Sequence, residues 1–390
     1  MGEKRVVLVT GVAGDWGGRV AAQLIERPDL HVMGLDADIP KEEIKGLDFV
    51  QADIRNPLLV ELLKDEKVDT LCHLAFIESI RSNEAAFDLN VIGTMKVLGA
   101  CAEANVRKVV LRSSTLVYGA HSTNSAFLRE NHALQGSRNY GYIRDMIEIE
   151  AFCNGFRGQS PHVLLTILRF AHIVGPRAET PMTRFLRDEE TPVLLGFDPR
   201  MQVIHEVDVS RGLVHAVTHD APGVFNVAAE GVMPLIRLTG LAGKLPVPVL
   251  HPMAYLGVSL LGPHYAPIDL DYLRYPCVAD LQKMHTELEF VPQYTAEEAL
   301  REFAAQQRIR QYLPESAALA YDQERLRDTL ERRRRAQAQL TPAAPMTAQP
   351  RRRANGKRAS KPASSRRRVR REAEPVDPLI ATGNEGNDNG

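Results

Sequence analysis

Three glycines spaced three residues apart constrain this chain more than any other feature. The string TGVAGDWG (10–17) follows an apolar, β-branched run at 5–10 and opens a segment with helical periodicity. Glycine permits a tight turn and close backbone approach, and a helix N-terminus offers unpaired N–H groups and a positive dipole end. In this strand-to-helix context the loop predicts a site for the pyrophosphate of a dinucleotide. The loop residues predicted to contact that ligand are Gly11, Ala13, Gly14, Asp15, Trp16 and Gly17.

Strand and helix patterns alternate after this loop. Short β-branched runs at 31–36 and 70–75 are separated by longer segments with helical periodicity. Such alternation predicts βαβ units, and therefore an α/β fold built as a Rossmann-type, doubly wound parallel sheet. Further buried-strand patterns at 108–114, 163–170 and 223–228 extend the predicted sheet well beyond residue 160.

Composition divides the rest of the chain. Prolines become frequent from about residue 175, as in a smaller, loop-rich substrate lobe. Beyond residue 341 the sequence consists largely of Ala, Pro, Ser and Arg and lacks the apolar residues needed for a core. We predict an NAD-binding Rossmann domain at 1–170, a substrate lobe at 171–312 that partly returns to the sheet, a charged helix at 313–340 and a disordered basic tail at 341–390.

An acidic residue ends the second predicted strand. Asp36 lies 19 residues after the last glycine of the loop, where a carboxylate can accept hydrogen bonds from both adenosine ribose hydroxyls and repel a 2′-phosphate. The sequence therefore predicts NAD rather than NADP, with Asp38 as the competing acid. Asp53 follows another short strand, and two interpretations stay open for it: a cap on the adenine edge, or an Asx turn before the NP dipeptide at 56–57.

Cysteine usage and hydropathy exclude several classes of protein. The four cysteines are far apart and form no CxxC pair, so neither a zinc knuckle nor a redox dithiol is encoded, and we predict no metal site. The N-terminal residues pass into a strand pattern without an apolar stretch of signal-peptide length. The apolar run at 247–262 is interrupted by His251 and Pro252 and falls short of the roughly 20 residues of a spanning helix. We expect a cytoplasmic protein without a transmembrane segment.

Many elements in order resemble one family. They are TGxxGxxG at 10–17, Asp36, Asp53-Ile54, HLAF at 73–76, NVIGT at 90–94, SSTLVYG at 113–119, LRFAHIVGP at 168–176, IHEVDVSRG at 204–212 and ELEFVPQYTAEEALREF at 287–303. Over roughly residues 4–305 the chain is similar to the extended short-chain dehydrogenase/reductase family, the NAD-dependent epimerase/dehydratase group. The resemblance adds Ile54, Leu74, Ala75 and Asn90 to the expected cofactor-binding residues.

The resemblance also implies a catalytic set of Ser or Thr, Tyr and Lys. In that family the serine bonds the substrate oxygen, the tyrosine transfers a proton, and the lysine holds the nicotinamide ribose and lowers the tyrosine pKa. Ser114 matches the serine position, and Ser113 is interpreted as a hydroxyl that finishes the strand. In NYGYIRDMIEIE (139–150) we place the tyrosine at Tyr142, which puts Met146 at the position of a lost lysine.

A second register stays open, with Tyr140 followed by Arg144. Neither register ends in lysine, and an unperturbed tyrosine has a pKa near ~10, so it needs a nearby cation to act as a base at neutral pH. Two hypotheses from different classes follow. The first is an NAD-dependent epimerase/dehydratase-type oxidoreductase that acts on a sugar nucleotide or a related hydroxyl or keto substrate. The second is a catalytically weakened or inactive NAD(H)-binding module that its basic tail tethers to a polyanion or a partner.

Substrate contacts are less clearly marked. Relatives that act on nucleotide sugars commonly carry Asn where LRFAHIVGP places His172, which is either a phosphate donor or a satisfied core residue. Arg200 lies close to the position where relatives bind phosphate, although Met201 aligns more directly. The run VPVLHPMAYLGVSLLG (247–262) is interpreted as a buried helix or as an apolar pocket wall.

The charge distribution separates an acidic body from a basic tail. Residues 331–390 hold 15 Lys and Arg against 6 Asp and Glu, a net charge of +9, whereas residues 1–330 carry −10. Arginine clusters between 332 and 371 either contact a polyanion such as nucleic acid or an anionic membrane surface, or remain solvated. Relatives often dimerise through helices that would include 85–104 and 139–155, so we also predict a homodimer.

Overall fold

The computed structural model of the chain describes residues 4–81, 83–261 and 267–312, together with Arg327 and Leu330. The chain divides into two compact units, Met1–Leu319 and Ala320–Gly390. The sheet and the cavities discussed below belong to the first unit. The predicted charged helix at 313–340 lies outside the described residues except at those two positions, and the predicted disordered tail at 341–390 lies wholly outside them.

Strands and helices alternate along the first unit, as the periodicity predicts. The strands are β1 Arg5–Thr10, β2 Leu30–Asp36, β3 Asp48–Gln51, β4 Thr70–His73, β5 Lys108–Ser114, β6 Leu164–Phe170, β7 His172–Val174, β8 Glu190–Leu194, β9 Arg200–Met201, β10 Val203–His205, β11 Gly223–Val227, β12 Met233–Pro234 and β13 Leu245–Val249. The helices are α1 Asp15–Ile25, α2 Leu59–Asp65, α3 Glu84–Phe87, α4 Gly93–Glu103, α5 Gly141–Gln159, α6 Pro181–Phe185, α7 Glu206–Thr218, α8 Leu235–Leu241, α9 His251–Leu261, α10 Gln282–Thr286 and α11 Ala296–Tyr312.

Seven strands form one parallel sheet in the order β11-β6-β5-β4-β1-β2-β3. The predicted Rossmann-type, doubly wound sheet is therefore confirmed. Because β11 pairs with β6, the chain returns to the sheet well after residue 160, also as predicted. Three two-stranded sheets, β7 with β10, β8 with β13 and β9 with β12, lie in the proline-rich part of the sequence.

Helices cover both faces of the sheet, which explains its apolar strands. Val7, Leu8 and Val9 on β1 are all fully buried, since a strand with helices on both sides has no solvent face. One core cluster joins β1 to α1 and α7, and the other joins the sheet to α2, α4 and α5. The continuous stretch Glu84–Glu103 is long and apolar enough to cross a membrane by length and composition alone, and half of its most apolar window is buried inside the unit.

Parallel strands bring the predicted site residues to one edge. Strands β1, β2, β4 and β5 end at Thr10, Asp36, His73 and Ser114, and the carboxyl ends of parallel neighbours lie at the same edge of the sheet. Ligands of open α/β sheets bind at this edge, where the strand order reverses. Here the reversal falls between β1 and β4.

Candidate functional site

The glycine loop is held close against the next strand along the sheet. Gly11 has a φ of +77°, and a Cβ on it would lie 2.6–2.7 Å from backbone atoms of Leu74 and Ala75. A Cβ on Gly17 would lie 2.1 Å from the carbonyl oxygen of Gly11. Both positions therefore require glycine for physical reasons. The result is an open loop that leads directly into the N-terminus of α1.

A cavity of about 450 Å³ lies beside this loop. It is lined by Gly11, Ala13, Gly14, Asp36, Ala37, Asp38, Ile39, Lys41, Asp53, Ile54, Leu74, Ala75, Phe76, Ile77 and Leu89. The structure thus brings together most of the residues predicted to bind the cofactor. Its walls are largely apolar, with carboxylates at one end, which suits an adenosine whose ribose needs acceptors.

Asp36 joins the loop to the second strand. Its carboxylate accepts hydrogen bonds from the backbone N–H of Ala13 at 2.9 Å and of Asp38 at 3.1 Å. These bonds fix the carboxylate at the cavity wall, and each oxygen keeps a lone pair for a ribose hydroxyl. Lys41, which the sequence reasoning did not single out, lines the same end of the cavity.

Asp53 both lines the cavity and forms the Asx turn, so the two interpretations of this residue coexist. Its Oδ1 accepts the backbone N–H of Arg55 at 2.8 Å and the Nε of the same arginine at 2.9 Å. Hydrogen bonding from Arg55 holds the pKa of Asp53 below its usual value. Arg55 also pairs with Asp88 in the π-helical turn between α3 and α4.

Asn90 does not line the cavity but holds the backbone of Ile77, which does. Its side-chain amide accepts the N–H of Ile77 at 2.8 Å, donates to the carbonyl of Ile77 at 3.0 Å and donates to Asp145 at 2.9 Å. His73 performs a similar task, with ring nitrogens 2.7 Å from Thr10 Oγ1 and 3.0 Å from Thr94 Oγ1. Burial lowers the pKa of His73 to about 3, so the ring is a neutral strut.

Asp15 and Trp16, which the sequence also predicts to contact the ligand, do not line the large cavity. Asp15 is exposed and accepts a hydrogen bond from Arg19 at 2.8 Å. Trp16 is half-buried between two guanidinium groups, with Arg19 and Arg112 each 5.6 Å from its ring centre. Because Trp16 is the only tryptophan in the chain, its fluorescence reports on this loop alone.

A smaller cavity of about 50 Å³ lies at the end of β5. It is lined by Glu78, Arg112, Ser113, Ser114, Leu116, Tyr142, Phe170, Ala171, His172, Ile173, Thr180, Pro181 and Met182. Ser114, Tyr142 and His172 therefore meet, although 58 residues separate the first from the last. Arg200 does not join them: it is an exposed residue of β9 and lines neither cavity.

Tyr142 is the most unusual residue of this cavity. Its hydroxyl is buried and has no hydrogen-bond partner among the described residues. Burial raises the pKa of Tyr142 well above its usual value, and the neighbouring Arg112 opposes that rise. A buried hydroxyl without a partner carries a free-energy cost, so its presence is typical of a place where a ligand supplies the missing bond.

Ser114 and Ser113 differ in their hydrogen-bond partners. Ser114 Oγ accepts the N–H of Leu116 at 3.2 Å and donates its hydrogen to the carbonyl of Phe170 at 3.3 Å, which leaves one acceptor lone pair free. Ser113 Oγ donates to Glu150 at 2.6 Å, deep in the sheet. Ser114 thus keeps bonding capacity toward the cavity, whereas Ser113 belongs to a buried structural network.

The two possible tyrosine positions at the start of α5 lie in different surroundings. Met146 is 1% exposed, packs in the core and lines neither cavity. Tyr140 lines an adjoining cavity of about 40 Å³ that also includes Asp269. Arg144 bonds Asp145 at 2.6 Å and lies over the ring of Phe87. Only Tyr142 of the two tyrosines shares a cavity with Ser114.

His172 lies in the second cavity as a neutral ring. Burial lowers its pKa to about 4, and its ring centre is 6.2 Å from that of Tyr272. At neutral pH it can donate one hydrogen bond to a ligand but offers no charge. Within the described part of the chain, no three His, Cys, Asp or Glu side chains are arranged to hold a metal ion.

Two residues of the second cavity, Glu78 and Arg112, were missed by the sequence reasoning. Arg112 is 4% exposed, and its Nη2 lies 2.5 Å from Glu78 Oε1. A signal was available, because KVVLRSS places an arginine directly after the apolar run VVL of a strand, and buried charges are rare unless they are paired. Glu78 follows the HLAF stretch and carried no comparable signal.

The fold and the glycine-loop cavity define a dinucleotide-binding protein of the Rossmann class. More specifically, the chain belongs to the NAD dependent epimerase/dehydratase family, which it matches over residues 7–228. NAD is the cofactor of this family, and the residues at the large cavity fit it, with a glycine cradle for the pyrophosphate and Asp36 for the ribose.

Individual relatives cover most or part of the chain. An uncharacterized protein of Mycobacterium tuberculosis is 32% identical over 312 residues, which is 77% of this chain and 83% of the relative. A UDP-glucose 4-epimerase of Lactobacillus helveticus is 31% identical over 183 residues, 44% of this chain and 53% of that protein.

Solved structures agree with the fold. A UDP-glucose 4-epimerase of Thermotoga maritima, determined with UDP-glucose, superposes with a TM-score of 0.61 at 20% identity and covers 79% of this chain and 100% of that one. A UDP-glucuronic acid 4-epimerase of Bacillus cereus, determined with UDP-glucuronic acid and NAD, gives 0.60 at 20% identity, covering 78% and 99%. At these identities the likeness concerns the fold alone.

Proposed function

We propose that the chain catalyses NAD-dependent oxidation and reduction at a hydroxyl-bearing carbon of a sugar nucleotide or a related hydroxyl or keto substrate. One observation supports this most: the hydroxyl of Tyr142, which has no hydrogen-bond partner among the described residues, and the hydroxyl of Ser114 line one cavity at the end of β5. Relatives and structural neighbours that act on UDP-sugars support the substrate class.

The side chains of this cavity have separable tasks. Tyr142 Oη, as the phenolate, accepts the proton of the substrate hydroxyl and returns it when the carbonyl is reduced. Ser114 Oγ turns its hydrogen from the Phe170 carbonyl, to which it donates at 3.3 Å, to the same substrate oxygen and holds that oxygen in place. When bound, NAD supplies the acceptor for the hydride that leaves the substrate carbon. Asp36 and the glycine loop bind and orient the adenosine end.

The competing hypothesis is a protein that binds NAD(H) without turnover. Met146 favours it, because the position of the expected ammonium is a buried thioether in the core. Met146→Lys separates the two hypotheses: it raises the turnover of a weakened enzyme and changes nothing if the substrate site is also lost. Met146→Leu is the matched control, because it keeps an apolar side chain of similar size.

The function is tested first through cofactor binding. We expect NAD⁺ to change the fluorescence of Trp16. We expect Asp36→Ala to weaken NAD⁺ binding about 10- to 150-fold, because a charged hydrogen-bond acceptor is worth about 1.5–3 kcal/mol. Turnover is then measured with UDP-glucose and UDP-glucuronic acid, by NMR of the sugar. Tyr142→Phe should reduce turnover about 10²–10⁴-fold and leave NAD⁺ binding unchanged. Binding without turnover in either the wild type or Met146→Lys would favour the second hypothesis.

The remaining predictions concern partners and location. A homodimer through helices at 85–104 and 139–155 stays a prediction, and light scattering that gives one chain mass would remove it. Polyanion contact through residues 332–371 and a cytoplasmic location also stay predictions. The basic segment lies outside the described residues, so its interactions are tested by binding experiments in solution at two salt concentrations.

A further inference from the structure

A buried arginine on a central strand requires explanation. Arg112 lies near the carboxyl end of β5, and its side chain is 4% exposed. Its guanidinium carbon is 5.7 Å from the ring centre of Tyr142 and 5.6 Å from that of Trp16. Removing a charge from water costs several kcal/mol unless partners replace the water. A strand residue with this cost is expected to have either full structural bonding or a function.

The bonding of Arg112 is incomplete. Its Nη2 pairs with Glu78, but its Nε is buried and has no hydrogen-bond partner among the described residues. The Tyr142 hydroxyl of the same cavity is also without a partner there. Two buried polar atoms on facing side chains are therefore unsatisfied together. Such a pair indicates a place prepared for a ligand or for a reaction rather than a structural ion pair.

The charges around Tyr142 determine whether it can ionise. Burial opposes the phenolate, Arg112 favours it, and carboxylates oppose it. The carboxylates that act on it are Glu78, Asp145 and Glu150, and Arg184 and Asp269 line the cavity that adjoins it. Asp145 and Glu150 are each paired with an arginine of their own. Among the described residues, Arg112 is the cation that lies over the Tyr142 ring.

Met146 cannot supply a charge, and Arg144 is directed to Asp145. We propose that Arg112 is a positioning residue that holds a positive charge beside Tyr142, in place of the ammonium absent at Met146, and so favours the phenolate that accepts the substrate proton. Glu78 holds the guanidinium in place through Nη2, and its negative charge offsets part of the effect of Arg112 on the pKa of Tyr142. The inference rests on the proposed function only in taking Tyr142 as the proton acceptor.

The inference is tested without turnover. The full chain is prepared with 3,5-difluorotyrosine at position 142, whose phenol is more acidic than that of tyrosine, and its titration is followed by ¹⁹F NMR. Arg112→Met should raise the apparent pKa of this phenol by about one to three units, because it removes an opposite charge within reach. Arg112→Lys should keep most of the wild-type value, because it retains a cation.

A second guanidinium provides the matched control. Arg19 lies at the same 5.6 Å from the Trp16 ring but contacts Asp15 and Glu206. Arg19→Met should leave the titration unchanged. Glu78→Gln keeps Arg112 and removes an opposing carboxylate, so it should lower the apparent pKa. An unchanged pKa in Arg112→Met, or a rise in Glu78→Gln, overturns the inference, and the second variant keeps the test valid if the first does not fold.

Failure of the inference and failure of the proposed function give different results. A raised pKa in Arg112→Met without turnover by the wild type supports the role of Arg112 and contradicts the function. Turnover by the wild type with an unchanged pKa in Arg112→Met supports the proposed function and contradicts the role of Arg112. If both hold, Arg112→Met should move the acidic limb of the kcat profile to higher pH, while the Kd for NAD⁺ read from Trp16 changes little.

Discussion

Two arginine–tyrosine pairs lie near the ends of neighbouring strands of this sheet, and they differ in how completely they are bonded. Arg169 on β6 lies 4.8 Å from the ring centre of Tyr118. It donates to Glu150 through Nε and Nη2, to the Tyr118 hydroxyl at 2.6 Å and to the carbonyl of Glu130. The Tyr118 hydroxyl in turn donates to Asn226 Oδ1 at 2.7 Å. Every polar group of this first pair has a partner.

The second pair, Arg112 and Tyr142, has the same composition and an equally buried arginine but lacks this completeness. Arg112 bonds a single carboxylate, and the Tyr142 hydroxyl bonds none of the described residues. The difference teaches that burial and charge alone do not identify a functional site. A fully hydrogen-bonded network stabilises the fold, whereas unsatisfied polar groups at a cavity can still form hydrogen bonds with a bound ligand.

The largest expected difference concerns the arginines. Arg169→Met should lower the free energy of unfolding by about 3–5 kcal/mol, because it leaves the buried carboxylate of Glu150 without its main partner. Arg112→Met should lower it by about 1 kcal/mol or less, since its loss also removes an unsatisfied atom and leaves Glu78 with access to water. Urea unfolding of both variants measures this. Equal losses would mean that both arginines are structural and would end the comparison.

The strands and the first cavity could be predicted from the sequence because local patterns dictate them. Apolar runs such as 5–10 and 108–114 match β1 and β5 residue for residue. The topology of a parallel sheet then brings the ends of these strands to one edge. Asp36, Asp53 and Leu74, which are predicted to bind the cofactor, consequently line the cavity beside the glycine loop.

The second cavity could be predicted only in part. The motif singled out Ser114 and Tyr142, which both line this cavity, and the position of a lost lysine at Met146 stays a prediction. Its replacement could not be found in the same way, because Arg112 and Glu78 meet Tyr142 only through tertiary packing of three distant segments. Asn90 shows the same limit: the motif marked the residue, but its bonds to Ile77 are visible only in space.

The two tyrosines give a smaller effect of the same kind. Tyr118→Phe should lower the free energy of unfolding by about 1.5–3 kcal/mol, because it removes hydrogen bonds to Arg169 and Asn226 inside a buried charged network. Tyr142→Phe should leave stability unchanged or slightly raised, because the lost hydroxyl had no described partner. Thermal and urea unfolding measure the contrast. A large loss of stability in Tyr142→Phe would show that its hydroxyl is bonded in solution and would contradict the distinction.

The buried histidines extend the comparison to pH. His73 is bonded at both ring nitrogens, and His172 forms no hydrogen bond among the described residues, yet burial lowers the pKa of His73 to about 3 and of His172 to about 4. A histidine in the unfolded chain titrates near about 6.5. As the pH falls below that value, each of these histidines is protonated in the unfolded chain but stays neutral in the folded protein. The free energy of unfolding therefore decreases between about pH 6.5 and the pKa of the histidine in the folded protein.

His172→Asn tests whether the partnerless ring behaves like the bonded one. Asparagine does not titrate, so the variant should lose less stability than the wild type on acidification, by about 1.4 kcal/mol per pH unit below about pH 6. Urea unfolding at several pH values between about 7 and about 5 gives the two slopes. Parallel curves would show that His172 is protonated in the folded protein, which requires a counter-charge or solvent in the second cavity. Diverging curves would show that the cavity excludes charge, and that burial without a described hydrogen bond is enough to lower the pKa of His172.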